Sequence, residues 1–149
     1  MKKLLFRLFS LSYLLFLSSC GSSDNQFELI GNADVSDGTM IYVLQADQNN
    51  QPYIKDSTSV QSNSFKFKGI SSTPQISYIQ VQGVNGYVLA ILENGDIKAD
   101  IYKDSISKSK VYGTKSNDDF IKYKSETKSL VDVMNNISSD AQNAIMSGD

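Results

Sequence analysis

Between Phe27 and Tyr112 the chain runs through short segments rich in Val, Ile, Tyr and Phe, separated by turn-forming residues, and this rhythm constrains the fold more than any other feature. Eight segments are readable, at 27–30, 39–45, 53–60, 64–68, 76–82, 87–93, 96–101 and 108–112. Strands recurring every 8–12 residues or so predict an antiparallel β-sandwich or barrel, because a parallel sheet needs crossover helices and these intervals leave no room for them. Asn85-Gly86 and Asn94-Gly95 each place two residues tolerant of positive φ between segments and read as hairpin turns, while Asp37-Gly38 closes a longer loop.

Side-chain alternation assigns faces. Phe65 and Phe67 alternate with Lys66 and Lys68, which predicts a strand with one face buried and one wet. The run Tyr87 to Leu92 is apolar on both faces and is expected to be a central strand with its second side covered. Val88, Ala90 and Leu92 share one face, and Leu89 and Ile91 the other.

After Gly113 the period changes. Phe120, Tyr123, Thr127, Leu130, Met134, Ile137, Ala141 and Ala144 alternate at spacings of 3 and 4, which draws one apolar stripe along a helix within 114–149. Ser116 with Asp119 resembles a capping box, Asp118 and Asp119 suit a positive helix N-terminus, and Gly148 suits the far end. Ser138 and Ser139 are expected to divide the run into two helices. Such a stripe outruns a small sandwich, so the helix folds back, docks on a partner or once led into another domain.

The N-terminal 19 residues read as a secretory signal, with Lys2, Lys3 and Arg7 ahead of a short apolar run that falls below the roughly 20 residues of a membrane span. Leu17, Ser18, Ser19 and Cys20 look like a bacterial lipobox, in which Cys20 is the expected site of acylation and the expected mature N-terminus. Two or three acyl chains, at about 0.8 kcal/mol per buried methylene, anchor a domain to a lipid bilayer firmly. Residues 20–26 then make a short polar tether before the domain at 27–113.

The inventory narrows the chemistry. The sequence has 149 residues, one Cys, no His and no Trp, so imidazole catalysis, a Cys-x-x-Cys site and an internal disulfide are excluded within it. The formal charge of -2 becomes about −5 without Lys2, Lys3 and Arg7, and no basic patch suits nucleic acid. No cofactor is expected. Asp47 to Gln51 has the oxygen ligands of a calcium loop but lacks its glycine and closing Glu, so it reads as a polar hairpin loop. Glu93, Asp96 and Asp100 flank a tight turn and read as solvated carboxylates, not a hydrolytic pair. Tyr42, Tyr53, Tyr78, Tyr87, Tyr102 and Tyr112 lie in or beside strands, where an exposed cluster would stack on sugars or grip a protein.

The order of Phe27-Glu28-Leu29-Ile30-Gly31, Gly38 to Leu44, Asp56-Ser57-Thr58, Phe65 to Gly69, Leu92 to Ile97 and Val111-Tyr112-Gly113-Thr114 resembles a Bacteroidota domain of unknown function. The resemblance covers about residues 27–125. It implies the N-terminal β-rich part of envelope lipoproteins whose C-terminal part is commonly thioredoxin-like or peroxiredoxin-like. No Cys-x-x-Cys site is present in these residues, so the sequence fits a stand-alone accessory domain or a truncated longer ancestor. In such lipoproteins an acidic run after the Cys marks surface export. Asp24 alone matches poorly, so a periplasm-facing outer-membrane location is expected. The expected role is a non-catalytic binding or protein-interaction module. The alternatives are an accessory to a thiol-disulfide system, with a thioredoxin-like partner, or a glycan-binding lipoprotein.

Overall fold

The computed structural model describes residues 25–147, with the side chain of residue 144 left aside; the expected signal and lipobox with Cys20, and the expected helix end at Gly148, lie outside the described residues. Eight strands follow in chain order: β1 (Gln26–Ala33), β2 (Met40–Ala46), β3 (Pro52–Ser59), β4 (Ser64–Ile70), β5 (Gln75–Val81), β6 (Val88–Leu92), β7 (Gly95–Ile101) and β8 (Lys110–Tyr112). One helix, α1 (Lys115–Ser147), closes the described chain.

The strands form two four-stranded sheets, ordered β4-β1-β7-β8 and β3-β2-β5-β6. Leu29, Ile41, Ile79, Leu92, Ile97 and Val81 fill the space between the sheets and are almost wholly buried. Each such side chain contributes about 1.5–3 kcal/mol of transfer free energy. The expected mainly-β sandwich with a C-terminal helix is therefore the fold, with one refinement: β1 and β7 pair in parallel, from Phe27 with Gly95 to Ala33 with Ile101. No crossover helix is needed because the chain visits the other sheet between those two strands.

Two pairs of residues lock β1 to β4. Phe27 lies opposite Gly69 and Phe65 opposite Gly31. A Cβ built on Gly31 would lie 2.1 Å from the Phe65 ring, and one on Gly69 would lie 2.7 Å from the Phe27 ring. Each phenyl ring thus packs on the backbone that the opposing glycine leaves bare.

Several expectations change. Asn85-Gly86 does join hairpin partners, β5 and β6. Asn94-Gly95 and Asp37-Gly38 instead carry the chain from one sheet to the other. A positive φ is required in either setting, and Gly95 has φ 119. Strand β6 is an edge strand, not a central one. Its core face is Val88, Ala90 and Leu92, and Leu89 and Ile91 are half-covered on the outside. The last segment is shorter than expected, because Ile106–Lys108 form a 3-10 turn before β8. Helix α1 runs through Ser138 and Ser139 without a break.

Candidate interaction surface

The two sheets present outer faces of opposite character. On the β4-β1-β7-β8 sheet the outward residues are largely charged. Glu28 pairs with Lys66 and, at 3.6 Å, with Lys68, and Asp100 lies 3.5 Å from Lys110. The bond from Lys66 is the main cause holding the Glu28 carboxyl below its ordinary value. These pairs lie at the surface, with Glu28 and Asp100 half-exposed, and are worth little to stability, but they keep the face wet.

The outer face of the β3-β2-β5-β6 sheet carries no such pairs. Register places Ile54 beside Leu44, Leu44 beside Tyr78, and Tyr78 beside Leu89, an apolar row that crosses all four strands. Ile76 and Ile91 form the next row, and Tyr42 with Gln80 the row on the other side. Because Ile41, Val43, Ile79 and Val81 point into the core, the residues between them face outward. Ile54, Ile76 and Tyr87 are 58%, 61% and 62% exposed. The Tyr78 and Tyr87 rings meet edge to face at 5.4 Å.

The six tyrosines in or beside the strands therefore do not form one cluster, and Tyr102, 46% exposed, follows β7 of the other sheet. Tyr42, Tyr78 and Tyr87 belong to the apolar face. Tyr112 is on the charged face under Lys110, whose Nζ is 5.2 Å from the ring centroid. Tyr53 turns the other way and donates its hydroxyl to Gln45 at 3.2 Å. There it joins a closed polar network that pattern reading missed: Gln45 Nε2 donates to Ser77 Oγ at 2.9 Å, and Lys55 Nζ donates to Gln45 and Gln75 at 3.1 and 3.2 Å.

One border of the apolar face is fixed by the start of α1. Asn117 is 1% exposed and its side chain acts as a short strand against β6. Its Oδ1 accepts the Ile91 N–H at 2.9 Å, and its Nδ2 donates to the Ile91 carbonyl and to Thr114 Oγ1, both at 2.8 Å. These bonds satisfy backbone groups that edge strand β6 would otherwise leave open.

The expected capping box is replaced by a longer-range arrangement. Glu93, from the β6–β7 corner, accepts the Ser116 N–H and the Ser116 hydroxyl, each at 2.7 Å, while Asp118 accepts the Gly113 N–H at 2.9 Å. Glu93 is thus a helix anchor and not the freely solvated carboxylate expected from its turn. Burial pushes its carboxyl up, but the bonds from Ser116 and Thr114 and the charge of Lys115 outweigh this and hold it below the ordinary value. Asp119 pairs with Lys115 on the helix surface.

Asp47 Oδ1 accepts the N–H groups of Asn49 and Gln51, both at 2.8 Å, so residues 47–51 form a self-capped polar hairpin loop as expected. Beyond Phe120 and Ile121 the described helix side chains are exposed, among them Leu130, Met134 and Ile137. Among the described residues no helix is long and apolar enough to cross a membrane.

No curated protein and no solved structure matches the chain. The family described as "Domain of unknown function (DUF4369)" matches residues 27–120, which takes in all but the first residue of β1, the other seven strands, Glu93 and the Asn117 junction, and the chain belongs to that family.

Proposed function

We propose that the protein is a membrane-anchored envelope lipoprotein whose sandwich is a non-catalytic protein-interaction module. The observation that carries this reading is the uncharged, apolar outer face of the β3-β2-β5-β6 sheet, set opposite a charged face on the same small domain. Exposed apolar area that is continuous across strands and bordered by polar residues marks a docking surface. The partner is a folded protein that presents its own uncharged apolar surface to Leu44, Tyr78, Leu89 and Ile76.

Anchoring rests on the lipobox Leu17-Ser18-Ser19-Cys20, with acylated Cys20 holding the domain to the outer membrane, facing the periplasm. A thioredoxin-like protein is the partner class that the Bacteroidota resemblance suggests, and any thiol chemistry would then be the partner's. The glycan-binding reading is less well supported. Sugar stacking needs open aromatic faces with polar groups around them, and here Tyr78 is half-covered and set edge-on against Tyr87 among Leu and Ile side chains. Among the carboxylates, Glu93 is held in the helix anchor and Glu28 and Asp100 in surface ion pairs, which favours a non-catalytic role.

Photo-cross-linking tests the reading. A benzoylphenylalanine at Leu44 or Tyr78 is expected to trap one discrete partner in cells, and one at Lys98 on the opposite sheet is not. Equal trapping from both faces would remove the proposal.

A further inference from the structure

Helix α1 raises a separate question, because its apolar stripe is as exposed as the sheet face and much longer. We infer that α1 pairs in parallel and in register with α1 of a second copy, as a two-stranded coiled coil seamed by Tyr123, Leu130, Met134 and Ile137. Leu130, Met134 and Ile137 are 61%, 61% and 63% exposed, and no other described element covers them.

The spacing selects the kind of partner. Alternation of 3 and 4 averages 3.5 residues, the period at which an apolar line stays on one side of a supercoiled pair. Length selects it again. The 33 residues of α1 extend roughly 50 Å. The longest strands have 8 residues, or about 27 Å, so the sandwich cannot cover the stripe even if the helix lay on it. No Gly or Pro occurs between Lys115 and Ser147 to turn the helix back. An element of equal length is needed, and each further copy of the chain supplies one.

Polar residues select the register. With Phe120 at a heptad a position, Thr127 is also an a residue. Only in-register parallel pairing sets its hydroxyl against its own counterpart, whereas a one-heptad slip sets it against Phe120 or Met134. The same register brings Asp119, at g, beside Lys124, at e, of the other copy, and symmetry repeats this contact. Lys128 and Asp132 pair with each other at 3.0 Å on the side away from the seam. This inference is independent of the proposed sheet partner, and pairing would present two such faces from one assembly.

The test uses the full chain purified from membranes in detergent. Sedimentation is expected to give twice the monomer protein mass at micromolar concentration. The double variant Leu130→Glu/Ile137→Glu is expected to give the monomer mass with unchanged β-sheet circular dichroism, since neither side chain packs on the sandwich. Leu130→Cys and Ile137→Cys should form disulfide dimers on mild oxidation, at least tenfold more than Ser125→Cys on the outer side, with the parent chain reporting any background from Cys20. A monomer mass for the parent chain, or equal cross-linking from positions 125 and 130, would overturn the inference.

Discussion

Replacing Asn117 with Ala removes three hydrogen bonds of a buried side chain at once, leaving both backbone groups of Ile91 without their partner and the Thr114 hydroxyl with Glu93 alone. Each bond is worth about 1 kcal/mol net, and a buried polar group left unpaired costs about 1–3 kcal/mol. Water entering at the β6 edge recovers part of this, so we expect a loss of about 2–4 kcal/mol. That is a large share of the roughly 5–15 kcal/mol by which a domain is stable, and it corresponds to a melting-point drop on the order of 10–20 °C. Asn117→Asp is the sharper probe. It retains the acceptor for the Ile91 N–H but turns a carboxylate toward the Ile91 carbonyl, so at neutral pH it should cost at least as much as Ala. Protonation restores one donor, and the difference between the Asp variant and the Ala variant should shift in favour of Asp as pH falls. Urea unfolding followed by helical circular dichroism and by tyrosine fluorescence measures both the loss and whether helix and sandwich separate. A loss below about 0.5 kcal/mol for Asn117→Ala would refute the view that this side chain closes the β6 edge.

Three further outcomes follow from the same geometry. Because the Glu93 carboxyl is held below its ordinary 4.5, its contribution is present above that pH and is lost as pH falls through its folded value; Glu93→Gln should flatten this part of a stability-versus-pH curve measured by urea titration. Gly31→Ala places a methyl against the Phe65 ring and should cost about 1–3 kcal/mol by thermal melting, with Gly31→Val worse. Ile76→Asp, at a position 61% exposed on the apolar face, should change stability by less than about 1 kcal/mol while abolishing photo-cross-links from Tyr78, since an exposed side chain loses little when made polar.

The sequence carries what depends on neighbours along the chain. Phe65-Lys66-Phe67-Lys68 read correctly because alternation is a property of one strand, and Asp47 to Gln51 read correctly because its bonds span two and four residues. What depends on distant pairing was not legible. Apolar residues on both faces of 87–92 suit a central strand, yet β6 is an edge strand because Asn117, 26 residues on, closes its open side. Asn94-Gly95 has the chemistry of a hairpin turn, but that chemistry specifies a positive φ and not which sheet the next strand enters. Glu93 reads as solvated because its partner, the start of α1, lies 23 residues away. The polar cluster around Gln45 brings together residues from β2, β3 and β5 and has no local signature. The apolar outer sheet face belongs to the same class, since Ile54, Leu44, Tyr78 and Leu89 become one row only through register.

In the proposed function this row is where the domain, held at the membrane through Cys20, meets its partner. Photo-cross-linking at Tyr78 against Lys98 in intact cells, read by mass spectrometry of the adducts and of the Cys20 peptide together, addresses it directly. A single protein adduct from Tyr78, none from Lys98, and a diacylglyceryl group on Cys20 are expected. Adducts of equal yield from both positions, or a free thiol on Cys20, would contradict it.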